Sequence, residues 1–115
     1  MKSILAIKYA FLYSIDGLRI LLKERAFRQE LILGFILGII EYLFGDKPTL
    51  VLLYLLGSYF LVLITECINS AIEIVVDRIS IEQHPLSKKA KDLGSLAVLI
   101  SLIHLGIAWT ISWFI

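Results

Sequence analysis

Two stretches of this chain contain no Asp, Glu, Lys or Arg: the 18 residues from Pro48 to Thr65 and the 23 from Leu93 to Ile115. A helix needs roughly 20 mostly apolar residues to cross about 30 Å of hydrocarbon. Uncharged runs of that length within 115 residues leave little chain for a water-soluble fold. A third segment, 31–45, is apolar except for Glu41. The sequence therefore predicts three transmembrane helices, at about 28–46, 48–70 and 92–115. The second is expected to continue beyond the bilayer to about Ile79, because its pattern persists and no breaker intervenes. Gly45-Asp46-Lys47-Pro48 reads as a tight turn, with Pro48 suited to a first helical turn.

Composition narrows the class further. The chain is 59% hydrophobic and 18% charged, whereas soluble domains are about 45–50% apolar and about a quarter charged. A disordered tail and an ordinary cytosolic enzyme are both poor fits. A net charge of +1 lacks the basic excess of a nucleic-acid binder, so no nucleic-acid partner is expected. The single cysteine, Cys67, cannot form an internal disulfide and has no zinc-type spacing around it. The length suits one domain, residues 1–115. The expected fold class is an all-α membrane protein.

Before the first span, Ile4, Ile7, Phe11, Ile15, Leu18 and Leu22 recur at helical spacing, while Lys8, Asp16, Arg19 and Lys23 gather on another face. This pattern suits an amphipathic helix, about 3–25, lying in the membrane surface. The alternative is the same helix packed on other protein. The charges interrupt any continuous apolar region of the kind a cleaved signal peptide needs. Six of the eleven Lys and Arg residues lie in this N-terminal segment up to Arg28, and four lie in the 78–91 loop. The positive-inside rule assigns both to the cytoplasm, with the C-terminus outside.

The most informative stretch runs from Glu66 to Asp77. At about 100° per residue, Glu66, Asn69, Ser70, Glu73 and Asp77 fall within an arc of roughly 100°. If Pro48 starts at the outer boundary, Glu66 stands about 27 Å inward, near the cytoplasmic edge of the hydrocarbon. Glu73 and Asp77 then lie roughly 10 and 16 Å further into the cytoplasmic zone. An acid at membrane depth costs about 2.5–3.5 kcal/mol and is a functional-site hypothesis by default. Polar residues can also serve only to join helices, but three acids on one face repel one another unless a cation joins them. Mg²⁺ suits that role, being taken up by one or two carboxylates plus phosphate oxygens. An acidic stripe can also mark an ion or proton pathway. Against a channel, Leu50 to Ile64 offers only Ser58, Tyr54 and Tyr59 as polar side chains. Two further polar clusters, Glu24 to Glu30 and Arg78 to Asp92, read alone as a charged hinge and a positive-inside loop. No standard nucleotide-binding signature is present. The residues themselves thus lead to a metal-capable acidic site at the lipid interface, and no further.

The run Glu66-Cys67-Ile68-Asn69-Ser70-Ala71-Ile72-Glu73-Ile74-Val75-Val76-Asp77-Arg78 resembles the signature of the bacterial integral-membrane diacylglycerol kinases. Ala26-Phe27-Arg28-Gln29-Glu30 and Ala90-Lys91-Asp92-Leu93-Gly94-Ser95 are similar to two further motifs of that family, in the same order. The resemblance implies an ATP-dependent lipid kinase of the bacterial inner membrane, a homotrimer whose active sites are shared between subunits. It implies phosphorylation of 1,2-diacylglycerol to phosphatidic acid. By motif position, Glu66 is implied as general base and Asn69 as a catalytic positioning group. Glu24 and Glu73 are implied to hold Mg²⁺ on the nucleotide. Tyr13, Asp77, Glu82, Gln83, His84, Lys91 and Asp92 are implied in ATP binding together with those two. Arg19, Ala26, Arg28, Gln29, Glu30, Glu66, Ser70 and Ser95 are implied on the lipid side. Glu41 has no counterpart in the family pattern. His84-Pro85-Leu86 is similar to the undecaprenol kinases of the same fold, which makes undecaprenol the alternative substrate.

Overall fold

The chain folds into four α-helices in the computed structural model, which describes residues 1–79 and 81–115; Ser80, within the segment read as the second loop, lies outside them. The helices are α1 (Lys2–Leu22), α2 (Arg25–Phe44), α3 (Thr49–Ile79) and α4 (Pro85–Ser112). No strand occurs among the described residues. α3 and α4 pack along one another, α2 lies against α3, and α1 touches mainly α2.

Local chemistry sets the boundaries. α1 closes at Leu22, short of the expected 25, because Glu24 turns to an extended conformation (φ −79°, ψ 127°). Arg28 covers the end of α1, its Nη1 donating to the carbonyls of Leu22 at 3.1 Å and Lys23 at 2.8 Å. Those are carbonyls that a helix C-terminus leaves without internal partners. α2 ends at extended Gly45, and the Pro48 carbonyl then accepts from Val51 and Leu52 at 3.0 and 3.1 Å to begin α3. α3 runs without a break to Ile79, as its pattern suggests.

The fourth helix departs from the expectation. It begins at Pro85, not near 92, so residues 85–91 are helical and not loop. The cause is a cap: the His84 Nδ1 accepts from the Leu86 N–H at 3.1 Å, and Pro85 occupies the first helical turn, where its missing donor costs nothing.

Burial is inverted relative to a soluble domain. The buried hydrophobic residues are Leu21, Phe27, Leu55, Val62, Val76 and Leu105, while Glu30, Ser58, Glu66, Asn69, Ser70, Ser101 and Ser112 are the buried polar ones. Outside, Phe35, Leu50, Leu53, Ile64, Leu93 and Ile103 are all more than half exposed. A continuous apolar exterior around a polar seam suits lipid, not water. α3 and α4 are long and apolar enough to cross a membrane by length and composition. α2 differs, since Arg28, Glu30 and Glu41 fall within every 18-residue stretch of it. Among the described residues most of the apolar stripe of α1 is left bare, with Ile4 and Ile7 each 70% exposed.

Candidate active site

The acidic stripe of α3 runs from the buried seam to the exposed surface. Glu66, Asn69 and Ser70 are buried, Glu73 is half-buried and Asp77 is exposed. Spacing of three and four residues keeps these side chains on one face of α3.

Glu66 meets a second acid from the neighbouring helix. Phe27, Glu30, Gly34, Leu37 and Glu41 make the inward side of α2, and Glu30 is buried there with its carboxyl near enough to that of Glu66 for the two to interact directly. Its Oε2 has no partner. Two carboxylates in contact repel, so such a pair favours a proton or a cation between them. One turn further along α3, the Asn69 Nδ2 donates to the Glu73 Oε1 over a long 3.4 Å. The Asn69 Oδ1 is buried and unpartnered, resting where a side chain on Gly94 of α4 would otherwise sit. Glycine at 94 is what lets the amide lie between the two helices.

Below this lies a cavity of about 610 Å³, walled by α3, α4 and their connector. Asp77, Glu82, Gln83, His84, Lys91 and Asp92, all expected at the nucleotide, line it together with Lys88 and Ser87. Its volume falls in the range of small-molecule sites, about 300–1,000 Å³. Lys91 pairs with Asp77 at 2.6 Å and Lys88 with Asp92 at 2.6 Å. All four side chains are more than a third exposed, so these pairs add little stability. Their effect is to hold alternating charges around the cavity mouth.

The remaining expected residues are not gathered there by this chain. Tyr13 is exposed on α1 and stacks with Tyr9 at 6.4 Å between ring centroids. Arg19 pairs at 3.6 Å with Asp16 in solvent. Glu24 is exposed at the start of α2, and its side chain makes no capping hydrogen bond. Ala26, Gln29 and Ser95 are exposed, and Arg28 is engaged in closing α1. No three His, Cys, Asp or Glu side chains gather as a metal cage among the described residues. The donor chemistry of Glu24 and Glu73 nevertheless fits magnesium, which takes hard carboxylate oxygens and completes its shell with phosphate and water. Glu73 carries one weak hydrogen bond and Glu24 no cap, so both carboxylates retain oxygens to offer.

Tyr59, read from the sequence only as one of three polar side chains in an apolar stretch, joins α3 to α2. The Tyr59 hydroxyl donates to the Glu30 backbone carbonyl at 3.0 Å, two turns from Glu66 on the same face of α3. The available signal was that spacing of seven residues.

The family described as prokaryotic diacylglycerol kinase matches residues 12–113. The chain is 46% identical over 100 residues to the diacylglycerol kinase of Escherichia coli (strain K12), covering 86% of this chain and 81% of that protein. It is 44% identical over 98 residues to the Haemophilus influenzae diacylglycerol kinase, with 84% and 82% covered. It is 45% identical over 106 residues to the Helicobacter pylori (strain 26695) diacylglycerol kinase, with 90% and 78% covered.

Proposed function

This chain belongs to the prokaryotic diacylglycerol kinase family and is a lipid kinase, and from that premise we propose that it transfers the γ-phosphoryl group of ATP to 1,2-diacylglycerol at the cytoplasmic face of a bacterial inner membrane. The products are phosphatidic acid and ADP. The observation that carries the reading is the buried Glu66 carboxyl at the inner end of an apolar helix, continued by an acid and amide stripe into a charged cavity.

The chemistry needs a base, a place for the triphosphate and neutralisation of charge. Glu66 lies about 26 Å along α3 from Thr49 at 1.5 Å per residue, the depth at which the free hydroxyl of a diacylglycerol is held by its acyl chains. Its carboxylate takes the hydroxyl proton as the lipid oxygen bonds to the γ-phosphorus, and the bond from that phosphorus to the β–γ bridging oxygen breaks. The departing ADP keeps that oxygen. Phosphoryl transfer asks mainly for positioning and charge stabilisation, and no covalent nucleophile is required of the protein. Asn69 holds Glu73 through its Nδ2 and keeps its unpartnered oxygen against Gly94, one turn along α3 from Glu66. Lys91 and Lys88, with Asp77, Glu82, Gln83, His84 and Asp92 around them, hold the nucleotide. Glu24 and Glu73 are the residues to hold Mg²⁺, which when bound neutralises phosphate charge. Arg19, Ala26, Arg28, Gln29, Glu30, Ser70 and Ser95 face the lipid, and Tyr13 the nucleotide.

The topology that fits is α1 on the cytoplasmic surface, with α2, α3 and α4 spanning the membrane and the C-terminus outside. Two features support a homotrimer with shared sites: the unpartnered face of α1, and the separation of Tyr13, Arg19 and Glu24 from the α3–α4 cavity.

Phosphate transfer from labelled ATP in mixed micelles, with diacylglycerol and undecaprenol offered separately, tests the reading. Diacylglycerol is expected to be the better acceptor, and no ATP should be consumed without Mg²⁺ and a lipid alcohol. Glu66→Gln should lower kcat by roughly 10²–10⁴-fold, the usual contribution of general-base catalysis. Unchanged turnover in that variant removes Glu66 from the base role.

A further inference from the structure

Where α2 and α3 cross, a tyrosine of one helix lies over a glycine of the other. A Cβ at Gly34 would overlap the ring and hydroxyl of Tyr59, so the aromatic side chain reaches the α2 backbone only because position 34 has none. The hydroxyl donates to the Glu30 carbonyl at 3.0 Å. Glu30 and Gly34 are four residues apart, so that carbonyl is also the intrahelical acceptor for the Gly34 N–H. A carbonyl oxygen has two lone pairs and can serve both donors.

The consequence reaches the reacting centre. Glu30 is bound to Tyr59 through its backbone, while its side chain lies near that of Glu66, and both residues are buried. Tyr59 and Glu66 stand two turns apart on one face of α3, so a single connection runs from phenol to α2 backbone to Glu30 carboxyl to Glu66. Facing acids push apart, and apolar packing between helices resists sliding weakly because it has no direction. A hydrogen bond to the backbone of Glu30 supplies the missing direction. We propose that Tyr59 is a positioning residue for phosphoryl transfer: by fixing Glu30 from α3, it sets the carboxyl that orients Glu66 towards the lipid hydroxyl. The inference rests on the reading of Glu66 as base. A general base must lie about 2.6–3.2 Å from the proton it takes, and a misplacement of about 1 Å can cost roughly 10²-fold.

Tyr59→Phe keeps the ring and removes only the donor. The expected result is a kcat lower by roughly five- to tenfold, the size of one lost hydrogen bond. KM for MgATP should stay within about twofold, because the cavity walled by residues 76–77 and 81–92 is not touched. A merely structural role would lower the amount of folded enzyme and leave kcat per folded molecule unchanged. In a Glu30→Gln background the added Tyr59→Phe should have no further effect on kcat, since both act through one connection. Gly34→Ala gives an independent route: it leaves the hydroxyl but displaces the ring, and should lower kcat similarly even if Tyr59→Phe assembles poorly.

Glu66→Gln is run beside these variants in the same micelles. If it abolishes turnover while Tyr59→Phe and Gly34→Ala both keep kcat within twofold of the parent, the positioning role is wrong and the base assignment stands. Full additivity of Tyr59→Phe with Glu30→Gln also overturns the role. If Glu66→Gln retains turnover, the base assignment falls and the positioning role falls with it.

Discussion

Asn69 is the residue whose surroundings are hardest to explain by packing alone. A buried carbonyl oxygen left without a hydrogen bond costs about 1–3 kcal/mol, and Asn69 Oδ1 is in that condition while its Nδ2 reaches Glu73. A helix joint needing polar glue would satisfy both ends of the amide, as the Thr65 and Ser101 hydroxyls satisfy each other at 2.9 Å between α3 and α4. An amide with one end held and the other open is better suited to receiving a group that arrives with substrate. Gly94 is its seat, so Gly94→Ala should drive the side chain out of register. The expected outcome is a kcat at least roughly tenfold lower, since positioning is most of what phosphoryl transfer requires. Folded yield should change little, as the neighbour to be displaced is a side-chain tip. Gly57→Ala, where an added Cβ meets nothing, is the control: activity should hold, and the helix should gain about 0.5–1 kcal/mol from Ala over Gly. Micelle kinetics and thermal unfolding of both variants check this.

At the scale of elements, the far end of the bundle answers the question raised by Glu41, an acid within an apolar helix. Lys47, from the turn between α2 and α3, pairs with it at 2.5 Å, and the ammonium also lies 3.5 Å from the centre of the Trp113 ring beyond the end of α4. The two charged side chains are only 6% and 14% exposed. Three elements are thereby clasped at one point. Removing one partner of a buried pair strands the other charge, at about 3–5 kcal/mol, whereas replacing both with apolar residues is often close to neutral. Lys47→Met should therefore destabilise by about 3 kcal/mol, and Glu41→Leu with Lys47→Met should recover most of it. Denaturant unfolding in detergent measures both. A single variant as stable as the parent would show that the clasp holds nothing.

The same elements show what can be read from a sequence of this kind. α3 was legible to its last turn because uncharged length and a polar stripe are properties of one helix. The start of α4 was hidden, because His84 capping Leu86 turns seven residues of apparent loop into helix. Glu66, Glu73 and Asp77 could be placed on one face by counting. The partners that give them meaning could not, since Glu30 for Glu66, Gly94 for Asn69 and Trp113 for Lys47 each come from another helix or beyond its end. No periodicity within one segment encodes how neighbouring helices are rotated against each other.

For the whole molecule, shape is the informative property. The radius of gyration is 17.4 Å and the extents are 49 × 45 × 21 Å, whereas a compact domain of similar length has a radius near 13 Å. A slab about two helices thick buries little of its own surface. α1 extends away from the α3–α4 pair with its apolar side bare, carrying Tyr13 and Arg19. The cavity holding Lys91 and Asp77 draws its walls from a distant part of the chain, residues 76–77 and 81–92. If a complete site needs both groups, the economical solution is a neighbour's α1 and hinge laid against this chain's cavity, which a closed ring of identical subunits supplies to every member. This predicts complementation between defective chains. Glu24→Gln and Lys91→Met should each be nearly inactive as homo-oligomers, having lost the proposed magnesium ligand and the proposed phosphate cation respectively. Mixed in equal amounts and allowed to assemble at random, one in four sites receives an intact Glu24 from one subunit and an intact Lys91 from its neighbour. Activity should then recover to roughly a quarter of the parent's. If each site lies within a single chain, every site in the mixture carries one defect and activity stays at the level of the separate variants.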